Sequence, residues 1–345
     1  MSTGEQNPDM LKEYQSFAEQ VQTLLRSETK WQATYAGYAA KLLKKRGEMT
    51  QKRKTLDAQR ELDPLYCYTS IGAIKGDRDF DFDLRYLGQS VGKVTVENGV
   101  PLLTVDKEIQ TSQRDFGYNV GKIDKEAWMT GERAQAFKAY YKSLAEQTGI
   151  RPRQPEHMVE SALFTELEKK KGDTKALKGI QPITCVDDVR LHMKTALAAS
   201  GAIPKLSGQG GEIDIFCRRS KGNRSRLTVI EVKDENKSDE PFHVVIKQAI
   251  AYAVFIRELA HSQSGRDWMD LWRLGNQPWE KGFTVNAVAA MPKGTTSQFP
   301  FAGMKLELKG EKTGDATDRI ELHYIAFLGG AQPRDGQDVR FETSL

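Results

Sequence analysis

The chain has 345 residues, 39% of them hydrophobic, and a formal net charge of +4 from 51 basic and 47 acidic residues. That length suggests two domains, or one large domain with an appendage, and the apolar content is enough for a packed core. No stretch approaches the roughly 18 apolar residues that cross a bilayer, and the first ten residues do not resemble a secretion signal. We therefore expect a cytoplasmic protein without membrane association, whose mildly basic charge permits a polyanionic partner.

Cysteine and histidine usage argues against two common kinds of site. Cys67, Cys185 and Cys217 are odd in number, widely spaced and form no Cys-x-x-Cys pair. The five histidines have no His-Glu-x-x-His spacing. Neither a disulfide framework nor a cysteine-rich zinc site is expected.

Residues 9–60 contain no proline and repeat apolar residues at helical spacing, which predicts one long helix or a helical pair. The second half of this segment is strongly basic and includes Lys44, Lys45 and Arg46. A solvated helix face explains this run; a surface that contacts nucleic acid is the alternative. Helices of this length need a partner surface, so we expect a homo-oligomer formed through them, or helices that fold back on the same chain.

Short β-type runs follow over residues 65–106, and Asn98-Gly99 between two of them predicts a hairpin turn. The alternating acidic segment 79–83 fits a strand with one solvated acidic face; a metal site is the less favoured interpretation. Residues 126–148 have helical spacing again.

The segment 149–155 is the best candidate boundary between an N-terminal helical and β domain, 1–150, and a second domain, 151–345. In the second domain the pattern predicts helices over 156–171, 241–262 and 268–274, and strands over 283–291, 304–309 and 319–328. Residues 180–200 favour neither state. The second domain is thus expected to be α/β, with a sheet flanked by helices.

Two Ile-rich strands, 211–217 and 227–233, frame a turn centred on Gly222-Asn223, a dipeptide that suits a two-residue hairpin loop. This register places Asp214 opposite Glu231, and Glu212 opposite Lys233. Because side chains alternate along a strand, these four polar residues would share one face and the isoleucines the other.

Directly opposed side chains of an antiparallel pair are about 5 Å apart, so Asp214 and Glu231 would reach the same ion. Adjacent carboxylates repel, and burial costs each of them its hydration. A divalent cation offsets both penalties, and oxygen ligands favour Mg²⁺ or Mn²⁺. Lys233 could polarise a water or neutralise charge on a phosphate, so the set suits phosphodiester cleavage.

The segments Gly-Glu-Ile-Asp214-Ile and Ile-Glu231-Val-Lys233 strongly resemble the PD-(D/E)XK nuclease superfamily, which includes restriction endonucleases and RecB-type nucleases. The resemblance covers roughly residues 155–290 and implies a restriction-endonuclease-like core with a central mixed sheet. It implies that Asp214, Glu231 and the backbone carbonyl of Val232 bind the metal and that Lys233 is the catalytic lysine. The literal Pro-Asp of the family is replaced, because Ile213 precedes Asp214.

Two further positions fit this family. Gln248-Ala-Ile-Ala-Tyr252 resembles the Gln-x-x-x-Tyr element of RecB-type members, where both side chains lie on one helix face and contact DNA or order the site. The family also has an acidic residue on the helix before the first catalytic strand. Glu160 is favoured for that position; its rivals are Glu156, Glu166, Asp187 and Asp188.

The resemblance implies a Mg²⁺- or Mn²⁺-dependent nuclease that cuts DNA, in a setting such as bacterial antiviral defence or a mobile element. Two alternatives stay open. One is a catalytically silent module with the same fold that binds nucleic acid or a partner protein, and the other is an RNA nuclease. Residues 1–150 resemble no family and would regulate substrate access or assembly.

Overall fold

The structure is a computed structural model of the full chain. It describes residues 7–58, 62–71, 81–107, 109, 116–118, 121–147, 149–150, 152, 156–169, 177–186, 189–199, 203–208, 210–221, 224–233, 241–276, 282–293, 299–310, 317–328 and 340–345.

Six helices and sixteen strands lie within the described residues, so the fold is mixed α/β as predicted. The helices are α1 Pro8–Ser27, α2 Lys30–Ala58, α3 Glu132–Ala145, α4 Glu156–Glu168, α5 Phe242–His261 and α6 Gly265–Leu271. The strands are β1 Tyr66–Ser70, β2 Asp81–Tyr86, β3 Gln89–Glu97, β4 Val100–Val105, β5 Ile123–Ala127, β6 Ile180–Pro182, β7 Thr184–Val186, β8 Val189–His192, β9 Leu197–Ala198, β10 Lys205–Leu206, β11 Ile215–Lys221, β12 Arg224–Val232, β13 Thr284–Pro292, β14 Lys305–Leu308, β15 Asp318–Leu328 and β16 Arg340–Thr343.

The first large sheet has the order β5-β4-β3-β2-β1-β8-β7. Its β3–β4 hairpin confirms the predicted turn, since Glu97 pairs with Val100 and both Asn98 and Gly99 have positive φ. Strand β8 lies parallel to β1, although more than 110 residues separate them. The proposed boundary at 149–155 stays a prediction, and strands from both sides of it share this sheet.

Three details of this region differ from the sequence patterns. The helix predicted over 126–148 begins only at Glu132. Residues 126 and 127 belong instead to strand β5, which pairs with β4. The described residues of the undecided segment 180–200 include four short strands, β6 to β9. In the acidic segment 79–83, Asp83 accepts hydrogen bonds from Arg85 and Ser90, while residues 79 and 80 lie outside the described part of the chain.

The second large sheet has the order β14-β15-β13-β12-β11-β6, with β16 paired to β15. Strands β12, β13 and β15 are parallel, and β11 is antiparallel to β12. Helix α5 packs on one face of the sheet, and Val229 of β12 lies in the same apolar cluster as the buried residues of α5. Helix α4 covers the opposite face, and its Leu163 clusters with Ile230. The strands predicted in the last third of the chain and helix α5 are confirmed.

The N-terminal segment is a helical pair that folds back on the chain. Asn7 caps α1 by accepting from the backbone N–H of Asp9 and Met10. The apolar face of α1 packs on α5 and β14, and α2 packs on α6. Homo-oligomerisation stays a prediction, but the apolar faces on which it depended are buried within this chain. No helix of the described part of the chain is long and apolar enough to span a membrane.

A buried ionic network joins α1 to α5 and β15. Arg257 and Asp318, each about 1% exposed, are joined by a 2.7 Å hydrogen bond. Arg257 also binds Glu258, which accepts a hydrogen bond from Arg26 of α1 at 3.0 Å. His261 lies 2.7 Å from the same Asp318 carboxylate oxygen as Arg257. Buried charges of this kind are tolerated only as a fully paired set.

Replacement of Arg257 by alanine should therefore destabilise the protein by about 3–5 kcal/mol, because it leaves Asp318 and Glu258 buried with fewer partners. Urea denaturation followed by circular dichroism measures the change. Lys12→Ala is the matched control, because Lys12 is exposed and its ion pair with exposed Asp9 is long, at 3.9 Å. An Arg257→Ala chain as stable as the control would show that the network contributes little to folding.

Candidate active site

The β11–β12 hairpin has the register that its sequence predicts. Ile215 pairs with Ile230 and Lys221 with Arg224, so each pair along the ladder matches the predicted spacing. Asp214 immediately precedes β11, and Glu231 lies on β12 one residue past the Ile230 pair. The turn residues 222 and 223 lie outside the described part of the chain. The hairpin thus brings the two carboxylates to one end of the sheet.

Asp214 is half-buried and fixed by the backbone of the opposite strand. Its Oδ2 accepts a 2.7 Å hydrogen bond from the N–H of Val232. Burial raises the pKa of Asp214 well above its ordinary value, and the negative charges of Glu231 and Glu160 raise it further. The Val232 N–H and Lys233 oppose this rise of the pKa without cancelling it. Full ionisation of Asp214 and Glu231 would therefore place more negative charge in the site than its own residues neutralise.

Glu231 is 3% exposed and is only partly satisfied. Its Oε1 accepts a 3.0 Å hydrogen bond from Lys233 Nζ, while its Oε2 is buried and has no hydrogen-bond partner within the described part of the chain. Burial raises the pKa of Glu231 to about 7, although the Lys233 ammonium opposes the shift. The pKa of Lys233 is raised by Glu231 and Glu156, so its ammonium stays charged. A partnerless buried carboxylate oxygen is costly unless something binds it.

Glu160 is the candidate acid of α4 whose charge bears on both hairpin carboxylates. It is buried, and its negative charge raises the pKa values of Asp214 and Glu231. Its rival Glu156 lies 3.5 Å from Lys233, whereas Glu166 pairs with Lys169 at 2.6 Å.

The remaining rivals, Asp187 and Asp188, lie outside the described residues. The metal-ligand role of Glu160 stays a prediction, as do the roles assigned to Asp214, Glu231, Val232 and Lys233.

Gln248 and Tyr252 lie one turn apart on α5, and the Gln248 side chain is close enough to lower the pKa of the Tyr252 hydroxyl. Tyr252 is 3% exposed, and burial followed by the charge of Glu231 raises the pKa of its hydroxyl. The Tyr252 hydroxyl lies close to the backbone at Gly211. Only a glycine allows this contact, because a Cβ there would lie 2.3 Å from the hydroxyl oxygen. Tyr252 therefore packs against the segment that leads to Asp214.

The predicted position of Glu212 opposite Lys233 is wrong. Regular pairing of β11 with β12 begins at Ile215, and Glu212 instead bridges Lys194 of the preceding segment. The Glu212 carboxylate lies 3.1 Å from Lys194 Nζ and 3.3 Å from His192 Nδ1. The residues before Asp214 instead lie against residues 193–195, where Met193 O accepts a hydrogen bond from the Ile213 N–H. The hairpin pattern could not include that segment.

The first sheet contributes two residues near the site that sequence reasoning missed. Arg85 Nη2 lies 3.3 Å from His192 Nδ1, and burial together with Arg85 lowers the pKa of His192 to about 4. The pKa of His192 also responds to the charges of Glu212 and Glu160. No local motif marks Arg85 or His192, since they meet only through the β1–β2 and β1–β8 pairings.

The basic residues proposed to face nucleic acid lie on α2. Arg46 Nη1 is 3.2 Å from the Asp270 carboxylate, and Arg46 also donates to the Asp270 carbonyl. Lys44 is exposed and Lys45 is half-buried. Arg46 thus serves the packing of α2 on α6, and the contact of all three residues with nucleic acid stays a prediction.

The donor set fits a hard divalent cation in its chemistry. Within the described residues, no group of three or more histidine, cysteine, aspartate or glutamate side chains is arranged to hold a metal ion. Asp214, which is half-buried, and Glu231, which is buried, nevertheless form a pair of oxygen donors. A cation would relieve their mutual repulsion and would bind the Glu231 Oε2. Asp214 and Glu231 would supply two side-chain ligands to such an ion, and backbone, water or substrate would supply the others.

Comparison with known proteins adds no relative. No protein-family model, no curated protein and no solved structure matches this chain.

Ionisation of Glu231 should lower the stability of the metal-free protein as the pH rises. Because the folded pKa, about 7, exceeds its ordinary 4.5, the favourable contribution is complete below pH 4.5 and is lost as the pH rises through 7. The full shift corresponds to about 3 kcal/mol. Thermal unfolding in EDTA between pH 5 and 9 should show a decline in Tm that Glu231→Gln reduces; equal pH profiles for the two proteins would contradict the assignment.

A methyl group at Gly211 should disturb Tyr252. The Cβ of Gly211→Ala would also lie 2.8 Å from the Leu197 carbonyl oxygen, so we expect a loss of about 1–3 kcal/mol of stability. Tyr252→Phe removes the closest atom and should recover part of that loss in the double variant. Strictly additive effects in denaturant titrations would show that the two residues do not interact.

Proposed function

We propose that this protein is a Mg²⁺-dependent nuclease that hydrolyses phosphodiester bonds of DNA. The observation that carries the proposal is the pair of half-buried Asp214 and buried Glu231, with raised pKa values and with one buried oxygen that has no hydrogen-bond partner among the described residues, next to the Lys233 ammonium. Structural ion pairs normally neutralise their carboxylates, whereas the single ammonium of Lys233 would leave this pair with excess negative charge when both groups are ionised.

The order of elements around the pair supports the same function. Helix α4 with Glu160 precedes the hairpin, the hairpin lies in a mixed sheet, and α5 with Gln248 and Tyr252 follows it. This is the arrangement that the resemblance to the PD-(D/E)XK superfamily implies. Residues from four elements, α4, β11, β12 and α5, then serve one site.

Asp214, Glu231 and the Val232 carbonyl would hold Mg²⁺, or Mn²⁺ in its place. Glu160 would be a further acidic ligand. A bound divalent cation supplies positive charge for the phosphate and makes water a stronger nucleophile. Lys233 can donate a hydrogen bond to a phosphate oxygen or to the attacking water, and Glu231 Oε1 orients its ammonium. Hydrolysis joins the water oxygen to phosphorus, breaks one P–O ester bond and returns a proton to the departing alcohol.

Asp214→Asn should lower DNA cleavage by at least a hundredfold and leave DNA binding within a few-fold of wild type. The amide retains shape and loses the negative charge that a cation requires. Plasmid and end-labelled linear DNA, each incubated with Mg²⁺, Mn²⁺ or EDTA, report the rate, and a labelled RNA tests the alternative substrate.

Glu166→Gln is the matched control, because Glu166 lies on α4 and pairs with Lys169. Cleavage that persists in EDTA or in Asp214→Asn would overturn the site assignment. Absence of cleavage by the wild-type protein with every metal, while DNA still binds, would favour a catalytically silent module.

A further inference from the structure

A cavity of about 680 Å³ lies between the first half of α2 and the chain segment that leads to Asp214. We call it the α2 cavity. Helix α2 contributes Trp31, Tyr35 and Tyr38 to its lining, and residues between 194 and 212 contribute most of the rest. Its volume is within the range of about 300–1,000 Å³ that small-molecule and cofactor sites occupy.

Two of the three aromatic rings are fixed in the core, and the third is available to a ligand. Trp31 and Tyr35 are buried, and they donate hydrogen bonds to the carbonyl oxygens of Leu25 at 2.9 Å and Lys194 at 3.0 Å. Tyr38 is half-buried, and its ring packs on Tyr35 at 5.5 Å with an interplanar angle of 81°. Tyr38 thus has a well-packed support and a partly exposed ring on which a flat ligand can stack.

The segment before Asp214 contributes backbone to the cavity lining through Gly208, Gly210 and Gly211. Gly210 has a φ of 59°, and a Cβ there would lie 1.7 Å from the carbonyl oxygen of Thr195, so this position requires glycine. Because glycine has no side chain, the peptide N–H and C=O groups are uncovered at this part of the lining. Such groups can form hydrogen bonds with the edge of a flat ligand.

The charged side chains of the cavity lining balance one another. Lys194 Nζ lies 3.1 Å from the Glu212 carboxylate, and Lys30 and Glu28 are both exposed. Two positive and two negative groups do not select a highly charged ligand such as a polyphosphate. An aromatic ring together with backbone hydrogen-bonding groups fits an uncharged flat heterocycle with polar edges, and a nucleobase is such a ligand.

The α2 cavity adjoins the candidate active site. Glu212, which lines it, precedes Asp214 by two residues, so their Cα atoms are at most about 7 Å apart. Gly211, which also lines it, lies against the hydroxyl of Tyr252. Burial, followed by the charge of Glu231, raises the pKa of that hydroxyl, which therefore lies near the carboxylates. A nucleotide in the cavity would be a close neighbour of a phosphate at the candidate active site.

We propose that the α2 cavity binds one unpaired nucleobase of the DNA substrate, stacked on the ring of Tyr38, beside the phosphate to be cut. Its position beside the cut rests on the proposed function, whereas binding of the nucleobase does not. Both faces of a base inside a duplex are already stacked, so Tyr38 would bind single-stranded or locally opened DNA. A free nucleotide carries the same base and is the competing source of this ligand.

The first test uses full-length Tyr38→Ala protein. Fluorescence anisotropy in EDTA gives Kd for a fluorescein-labelled 12-nucleotide single strand and for a blunt 24-base-pair duplex, without cleavage. We expect the single strand to bind at least about tenfold more weakly, because a stacked base is lost, and the duplex to bind within about twofold of wild type. Tyr140→Ala is the matched control, since Tyr140 is a half-buried tyrosine of helix α3. It should bind both DNAs as wild type does.

A second variant fills the cavity without removing any packing. A Cβ at Gly208 would meet no atom within 4 Å, so Gly208→Leu should fold normally. Its side chain should reduce the space for the base and weaken single-strand binding about tenfold, with duplex binding retained. Tyr38→Phe keeps the ring and should retain most of the affinity. Thermal unfolding of each variant separates weaker binding from impaired folding.

Unchanged single-strand Kd in both Tyr38→Ala and Gly208→Leu would overturn the proposal, even if the wild-type protein cleaves DNA. Calorimetric titration with the four deoxynucleoside monophosphates tests the competing source. Binding of a monophosphate that Tyr38→Ala abolishes, with single-strand binding unchanged, would also overturn the proposal, in favour of a free nucleotide. Loss of single-strand binding in the variants, with no cleavage by wild type under any metal, would refute the nuclease function and retain the nucleobase site.

Discussion

The antiparallel pairing of β11 with β12 is the constraint on which the rest of the site depends. Its register decides which side chains lie opposite one another, and a shift of one residue would move every carboxylate to the other face. In the observed register Ile215 and Ile230 face α4, while Asp214 and Glu231 are left at the end of the ladder.

The energetic cost of the site is offset by the layers that surround it. Helices α4 and α5 bury both faces of the sheet, so the hydrophobic contribution of the hairpin's isoleucines and valines outweighs the dehydration of two carboxylates. That dehydration is visible as raised pKa values at Asp214 and Glu231. Under the proposed function, a bound cation would offset this cost.

The sequence predicted the local parts of this structure and missed the long-range parts. A turn dipeptide and alternating isoleucines were enough to obtain the register from the Ile215–Ile230 pair to the Lys221–Arg224 pair, because hairpin geometry is set within about twenty residues. Glu212 was misplaced because its partner, Lys194, reaches it through an isolated bridge that no turn signal marks. Arg85 and His192 approach Glu160 only through the parallel pairing of β8 with β1, a contact across more than 110 residues.

These long-range contacts decide how the N-terminal half can be studied. Helix α1 covers α5, the helix that carries Gln248 and Tyr252, and Arg26 of α1 binds Glu258 within the buried ionic network. Strand β1 pairs with β8, which comes from the second half of the chain. Removal of residues 1–150 would expose both surfaces and leave Glu258 without Arg26, so loss of activity in such a fragment would report misfolding as readily as regulation. Point substitutions at Arg85 or His192 in the full chain keep these surfaces covered and therefore test whether the N-terminal half influences the site directly.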